Sequence, residues 1–468
     1  MHSDRYAHFL EKHPDYAKTA SIDALRAADY GNLDGCGQVY LDYTGGGLFG
    51  LSQAKKHFEI LGSCIYGNPH SSNPSSMAAT QLVESARRYV LEYFKASPEE
   101  YLVVFTQNAS GALKLVGESY PFEPGATYLL TFDNHNSVNG IREFARSKGA
   151  TVTYLPVELP DLRISGERLV AELSASPGAP TKLFAYPAQS NFSSVQHPLE
   201  WIELAHAKGW DVLLDAAAFA PTNELDLSRW KPDFVPISFY KMFGYPTGIG
   251  ALIARRDKLA KLRRPWFAGG TITVASVQGD KYYLSDGAAA FEDGTVDYLG
   301  IPAVEIGLRH LRSIDVKLVH ERTMQLASWL LDNLRGMRHS TGVDLVKIYG
   351  PLDMAKRGAA IAVNFQDARG RAIDHRAIEA EANTHGISLR TGCFCNPGAG
   401  EIALGISREE LATCFTGPGH DKRLSIDDFR GCISTKSTGA VRISVGLVSD
   451  FKDVEAFIGF ARGFLDRQ

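Results

Sequence analysis

Lys241 stands in Ser238-Phe239-Tyr240-Lys241-Met242-Phe243-Gly244, just after an apolar run and just before the glycine-rich Thr247-Gly248-Ile249-Gly250. A lysine at a buried strand end is unusual, although one that snorkels to the surface would also fit that position. Asp215 sharpens the question. It ends Val212-Leu213-Leu214 and precedes Ala216-Ala217-Ala218, so a lone carboxylate sits where an apolar strand stops and needs a partner. A structural salt bridge would serve. So would a protonated pyridine nitrogen, because an acid and a lysine on adjacent strands can address one pyridoxal-phosphate (PLP) ring. Thr106-Gln107-Asn108-Ala109-Ser110-Gly111-Ala112 links a strand to a helix. Its backbone N–H groups and the Ser110 hydroxyl could cradle an anion at the helix N-terminus, though alone it reads as an ordinary cap. His135, in Asp133-Asn134-His135-Asn136, follows another strand and could stack over such a ring or be purely structural.

A second chemistry lies in Leu389-Arg390-Thr391-Gly392-Cys393-Phe394-Cys395-Asn396-Pro397-Gly398-Ala399-Gly400, whose glycines and prolines predict a loop over 392–400. Two cysteines spaced C-x-C suggest half a zinc site, but no matching C-x-C or H-x-H pair completes it, so no metal is expected. C-x-C is also not the usual spacing of a redox pair. An exposed thiol on a mobile loop beside Arg390 can be partly thiolate near neutral pH, and the thiolate is the nucleophile.

Positioning such residues calls for strands ending at one edge. From Tyr40 to about Ala254, strand-like runs at 102–106, 127–131, 151–155, 182–186, 212–214, 234–238 and 250–254 alternate with helical patterns at 82–94, 138–148 and 201–208. That alternation predicts an α/β domain with a mainly parallel sheet. Ser110, His135, Asn191, Asp215 and Lys241 all fall just after strands, where open parallel sheets bind ligands. Beyond Thr295 the pattern changes to a long helical stretch at 301–334, strands at 345–349 and 359–365, and helices at 377–385 and 451–465. This predicts a smaller α+β domain. The expected division is an N-terminal segment 1–39 packed with the small domain, a large domain 40–300 and a small domain 301–468 that carries the cysteine loop.

Bulk properties narrow the ligands. The 468 residues carry 49 basic and 53 acidic side chains, a balance that offers no broad footprint for nucleic acid or an anionic membrane. Six irregularly spaced cysteines argue for free thiols in a reducing compartment, with the cytoplasm fitting best. No apolar signal core or membrane-length run is evident, so a soluble, unexported protein is expected. Gly45-Gly46-Gly47-Leu48-Phe49-Gly50 matches G-x-G-x-x-G, but no acidic residue about 20 positions on completes a dinucleotide site.

Together these segments resemble the cysteine desulfurase branch of the class V, fold-type I PLP enzymes, and more closely the N-terminal domain of molybdenum cofactor sulfurases. The likeness covers about residues 38–465 and is carried by Tyr40-Leu41-Asp42, Gly67-Asn68-Pro69-His70-Ser71, Ala112–Glu118, Asp133–Val138, Phe184–Phe192, Val235–Lys241, Phe291–Thr295 and Arg390–Ala399. It implies a fold-type I architecture with PLP as a Schiff base on Lys241, which would also move the substrate Cα proton. Asp215 would pair with the pyridine nitrogen, His135 would stack on the ring and Asn191 would lie near O3′. Ala109, Ser110 and Ser238 would hold the phosphate. Thr295 matches a threonine that reaches the phosphate across a homodimer interface. Arg442, with Arg390, Asn191 and His70, would bind a small amino-acid substrate. Cys395, rather than Cys393, aligns with the sulfur-accepting cysteine. The implied reaction moves sulfur from L-cysteine or a related thiol amino acid to Cys395 as a persulfide, releasing alanine, for a protein or small-molecule acceptor.

Departures from the family pattern keep other readings open. Tyr240 replaces the histidine common before the lysine, Ala218 replaces a glutamine near O3′, Tyr43 stands where sulfurases commonly have histidine, and Gly400 stands where they often have cysteine. Gln107-Asn108-Ala109 replaces a more usual phosphate run. With the chain ending at Gln468, no molybdenum-cofactor-binding domain is expected, which leaves the acceptor open. The alternatives are another PLP reaction, such as transamination, C–S lysis or elimination, and a non-catalytic sulfurase-like scaffold.

Overall fold

The structure is a computed structural model that describes residues 2–417, 423–433 and 436–467. Its centre is a seven-stranded sheet made of β1 (Tyr101–Thr106), β2 (Thr127–Thr131), β3 (Thr151–Leu155), β4 (Lys182–Pro187), β5 (Asp211–Asp215), β6 (Phe234–Ser238) and β7 (Gly250–Arg255). They lie in the order β1-β7-β6-β5-β4-β2-β3. β7 runs antiparallel to both neighbours, and the other pairings are parallel. The physical reason is the length of the link. Only 239–249 join β6 to β7, less than a parallel crossover needs.

Both faces of this sheet are covered, which is why its strands read as continuous apolar runs. Val104, Leu183, Leu213 and Leu252 pack on one side with Leu113 and Ile141 of flanking helices. Val103, Phe184, Val212, Val235 and Ile253 pack on the other with Val83, Val90, Ile202 and Leu308. The sheet core is therefore sealed, and the open space lies at the strand ends.

A second, all-antiparallel sheet has the order β8 (Val346–Tyr349), β9 (Ala360–Phe365), β11 (Ala440–Ser444), β10 (Arg390–Gly392). Its core joins Ile361, Val363 and Ile443 to Leu330 and Phe457 on the helices Val316–Arg335 and Phe451–Arg462. The N-terminal helix His2–Lys12 adds Phe9 to this core, against Trp329 and Phe451. The chain then runs beside the small sheet: Val39–Tyr40 pairs with Ile387–Ser388, and Asp42 bridges to Ser444.

The structure corrects several expectations. The 138–148 helix is two pieces, Asn136–Asn139 and Ile141–Ser147, because glycine at 140 interrupts a weak pattern. The 301–334 stretch is likewise split into Pro302–Ile314 and Val316–Arg335 by Asp315, whose φ is +73° and whose side chain caps the second helix. The 392–400 loop stops at Asn396, since Pro397–Leu404 is helical. Asn396 as N-cap and Pro397 at the first helical position are the start signal that the glycine content obscured. Not all six cysteines are free thiols: Cys414 and Cys432 form a disulfide with Cα atoms 5.5 Å apart. Their 18-residue separation carries no geometric signature in the sequence.

Candidate active site

The carboxyl ends of β1, β2, β4, β5 and β6 converge on a cavity of about 190 Å³, lined among others by Ala109, Ser110, His135, Asn191, Asp215, Ser238 and Lys241. The structure thus brings together seven residues from five separate strand ends. Lys241 lies in the short helix Phe239–Phe243 directly after β6, and its amine has no hydrogen bond or ion pair among the described residues. Burial draws its pKa below the usual lysine value; Asp215 opposes that shift and Arg442 adds to it.

Asp215, the last residue of β5, is only 8 % exposed. One carboxylate oxygen, Oδ1, accepts the Ala217 N–H at 3.0 Å. His135 caps a helical turn, with Nδ1 accepting the Ser137 N–H at 3.1 Å. Burial holds this imidazole below its ordinary pKa against the pull of Asp215, so the neutral ring with its proton on Nε2 is the favoured form.

The opposite end suits an anion. The 11-residue helix Ala109–Ser119 begins there, the Ser110 and Ser137 hydroxyls lie 2.6 Å apart, and the Ala109 N–H reaches the Ser238 hydroxyl only at 3.4 Å. Gly250, opposite both Thr106 and Ser238 in the sheet register, makes this cradle possible. A Cβ there would come within 2.6 Å of the Asn108 backbone. The donor set therefore fits a ligand with a phosphate at one end, a carbonyl for an amine and a ring nitrogen for a carboxylate.

Asn191 lines the cavity, yet its amide is committed to the cysteine loop. Its Nδ2 donates to the Phe394 carbonyl at 2.7 Å, and its Oδ1 accepts from Asn396 Nδ2 at 2.8 Å. Asn396 also donates to the Asp133 carbonyl, and the Asn136 N–H donates to the Cys395 carbonyl, each at 2.7 Å. Phe394 and Cys395 both take left-handed backbone angles, φ +56° and +55°. Such angles in non-glycine residues need outside support, and these four hydrogen bonds supply it. The Cys393 and Cys395 thiols are exposed.

Arg442 is 2 % exposed, with its guanidinium carbon 4.7 Å from the centre of the Phe394 ring and Nη1 donating to the Asn191 carbonyl at 2.8 Å. Arg390 faces it across β10 and β11 as a register partner. Sequence reasoning missed what lies between them. Asp42 accepts from Arg390 Nε and Nη2 at 2.9 and 2.6 Å and from Arg442 Nη2 at 3.1 Å. The signal for it was indirect, a carboxylate at a strand end in Tyr40-Leu41-Asp42. The nearby glycine run serves the same region, with the Gly47 N–H donating to the Tyr240 carbonyl at 3.0 Å.

Five expected residues, Cys395, Arg390, Arg442, Thr295 and His70, do not line the cavity of this chain; Arg442 and the cysteine loop are bonded to Asn191 on its wall, while Thr295 and His70 lie elsewhere. Thr295 is exposed and accepts a hydrogen bond from Asn68 Nδ2 at 3.3 Å. His70 is exposed, and its N–H donates to Asn68 Oδ1 at 3.1 Å. The two meet around Asn68 rather than around Lys241.

A sequence model of the family described as "Aminotransferase class-V" matches residues 55–457. The molybdenum cofactor sulfurase of Bos taurus is 38 % identical over 463 residues, covering 94 % of this chain and 51 % of that protein. Molybdenum cofactor sulfurase of Solanum lycopersicum is 36 % identical over 470 residues, covering 94 % and 57 %. The chain thus spans about half the length of the curated relatives it matches. Among solved structures, the apo cysteine desulfurase from Thermococcus onnurineus NA1 aligns with a TM-score of 0.75 at 22 % identity, covering 95 % of this chain and 98 % of that one. That likeness speaks for the fold.

Proposed function

We propose a cysteine desulfurase reaction for this chain, which belongs to the aminotransferase class-V family. The observation that carries the proposal is the convergence of the Lys241 amine, unpaired among the described residues, the Asp215 carboxylate and a helix N-terminus in one cavity, with the cysteine loop tied to the cavity wall through Asn191. Pyridoxal 5′-phosphate fits that donor set. Lys241 would anchor it, Asp215 would face its ring nitrogen, His135 its ring, and Ala109, Ser110 and Ser238 its phosphate. When bound it supplies an electron sink for a carbanion at the substrate Cα.

The chain's own residues do the rest. Arg442 and Arg390 bind the carboxylate of L-cysteine or a related thiol amino acid and fix the substrate's orientation. Lys241 would also hold and move the proton at the substrate Cα. The Cys395 thiolate then attacks the substrate sulfur. An S–S bond forms on Cys395, the substrate Cβ–S bond breaks, and alanine leaves after protonation. The persulfide passes to a protein or small-molecule acceptor. Two copies of the chain assemble in this reading, with Thr295 serving the other copy's phosphate. The exposure of Thr295 and of the two-stranded hairpin Ile272–Ser276 and Lys281–Leu284 supports it, because an isolated hairpin is marginal in water.

The test is turnover of L-cysteine by PLP-loaded protein, following alanine, sulfide and pyruvate together. Alanine is expected, with sulfur trapped on Cys395. Cys395→Ala should retain cofactor and lose alanine formation by on the order of a hundredfold or more. Pyruvate as the product would assign elimination instead, and wild-type turnover by Cys395→Ala would rule out the persulfide. Borohydride reduction followed by peptide mapping should place the cofactor on Lys241.

A further inference from the structure

Arg390 and Arg442 occupy directly opposed positions on neighbouring antiparallel strands, an arrangement that costs stability when like charges meet. Here the opposition is relieved by Asp42, which lies between them. Its Oδ2 takes both contacts from Arg390 and its Oδ1 takes the contact from Arg442. The geometry is built rather than incidental. Asp42 is 7 % exposed, and its backbone is fixed by a parallel bridge to Ser444 and by the Gly45 and Gly46 N–H groups, which donate to its carbonyl at 2.9 and 3.1 Å. Gly45 leaves the room that this needs: a Cβ there would lie 2.5 Å from Asp42 Oδ2 and 2.7 Å from Arg390 Nη2.

Two guanidinium groups and one carboxylate leave a single net positive charge. Arg442 keeps a buried Nε that has no partner among the described residues, and half of the Arg390 side chain remains open to solvent. We propose that Asp42 is a positioning residue that holds this end of the site at one net positive charge and thereby selects substrates with a single carboxylate over dicarboxylic ones. The inference rests on the reading above that Arg442 and Arg390 receive the substrate carboxylate. Asp42 stands in for a second carboxylate: it keeps both arginines aligned and neutralises the charge that a dicarboxylate would otherwise find.

Calorimetric titration of the holoenzyme with propionate and with succinate tests this without requiring turnover. Wild-type protein should bind propionate at least as well as succinate. Asp42→Asn, which leaves two uncompensated arginines, should move the affinity ratio toward succinate by roughly tenfold, and less at high salt. Asp42→Asn combined with Arg390→Gln restores one net charge and should return the ratio to that of the wild type, a rescue that a purely structural role would not give. Arg390→Gln alone should move the ratio toward propionate, a reading that stands even if Asp42→Asn does not fold. An unchanged ratio in Asp42→Asn, no rescue in the double variant, or no carboxylate binding by wild-type protein would overturn the proposal. Shifted ratios in a protein that makes no alanine from cysteine would sustain it while removing the desulfurase reading.

Discussion

Burial pushes the Lys241 amine toward its neutral form, the Asp215 carboxylate resists that push, and the Arg442 guanidinium reinforces it. A neutral amine is the form that reacts with an aldehyde, so protein stripped of cofactor should take up PLP with a pH midpoint below the ordinary lysine value of 10.5. Replacing Asp215 with Asn removes the opposing charge and should lower the midpoint further. Rates of borohydride-trapped adduct formation across pH measure both, and a midpoint at the ordinary value, or one raised by Asp215→Asn, would refute the assignment. At this scale much was legible. Lys241 and Asp215 each break or end an apolar segment, and a polar side chain at such a place needs a reason; His135 was marked only by following a strand. Asp42 was not legible in the same way, because its partners lie some 350 to 400 residues away and nothing local requires them.

Among the elements, the cradle proposed for the phosphate depends on how closely β7 approaches the start of helix Ala109–Ser119. Gly250→Ala would drive a methyl group into the Asn108 backbone, 2.6 Å away. The helix start must then move, costing about 1–3 kcal/mol and weakening PLP binding more than a substitution in β7 away from the cradle. Thermal melting with and without PLP reads both effects; equal melting shifts in the two states would show that the cradle is not involved. The antiparallel course of β7 was hidden in its sequence, since a strand covered on both faces reads as apolar in either direction. Its direction follows from the short link behind it. The cysteine loop shows the opposite case. Its composition marked a turn-rich segment, but its anchoring by Asn191 and Asn136 arises only where two strand ends meet it.

For the molecule as a whole, acid is the expected weakness. His13, His135, His310, His320 and His375 are each held below the ordinary pKa of 6.5 by burial. Below that value the unfolded chain binds protons that the folded chain refuses, so this contribution to stability is present above 6.5 and is lost as pH falls. Glu401, raised by burial from its ordinary 4.5, works in the opposite sense at lower pH. The denaturant midpoint should therefore drop between pH of about 7.5 and about 5.5, with net proton uptake on unfolding. A midpoint that rises over that interval would contradict the burial of these rings.

The amino-acid sequence by itself determined the α/β class, the boundaries of most central strands to within a residue or two, and the residues placed just past their carboxyl ends. Those are local properties: apolar runs, caps and interruptions are written in neighbouring residues, and a parallel sheet turns them into one edge. Tertiary structure alone decided the commitment of Asn191 to the Cys395 loop, the position of Thr295 and His70 outside this chain's cavity, and the Asp42 bridge between Arg390 and Arg442. Each depends on contacts between segments far apart in the chain, where no periodicity or spacing records which groups will meet.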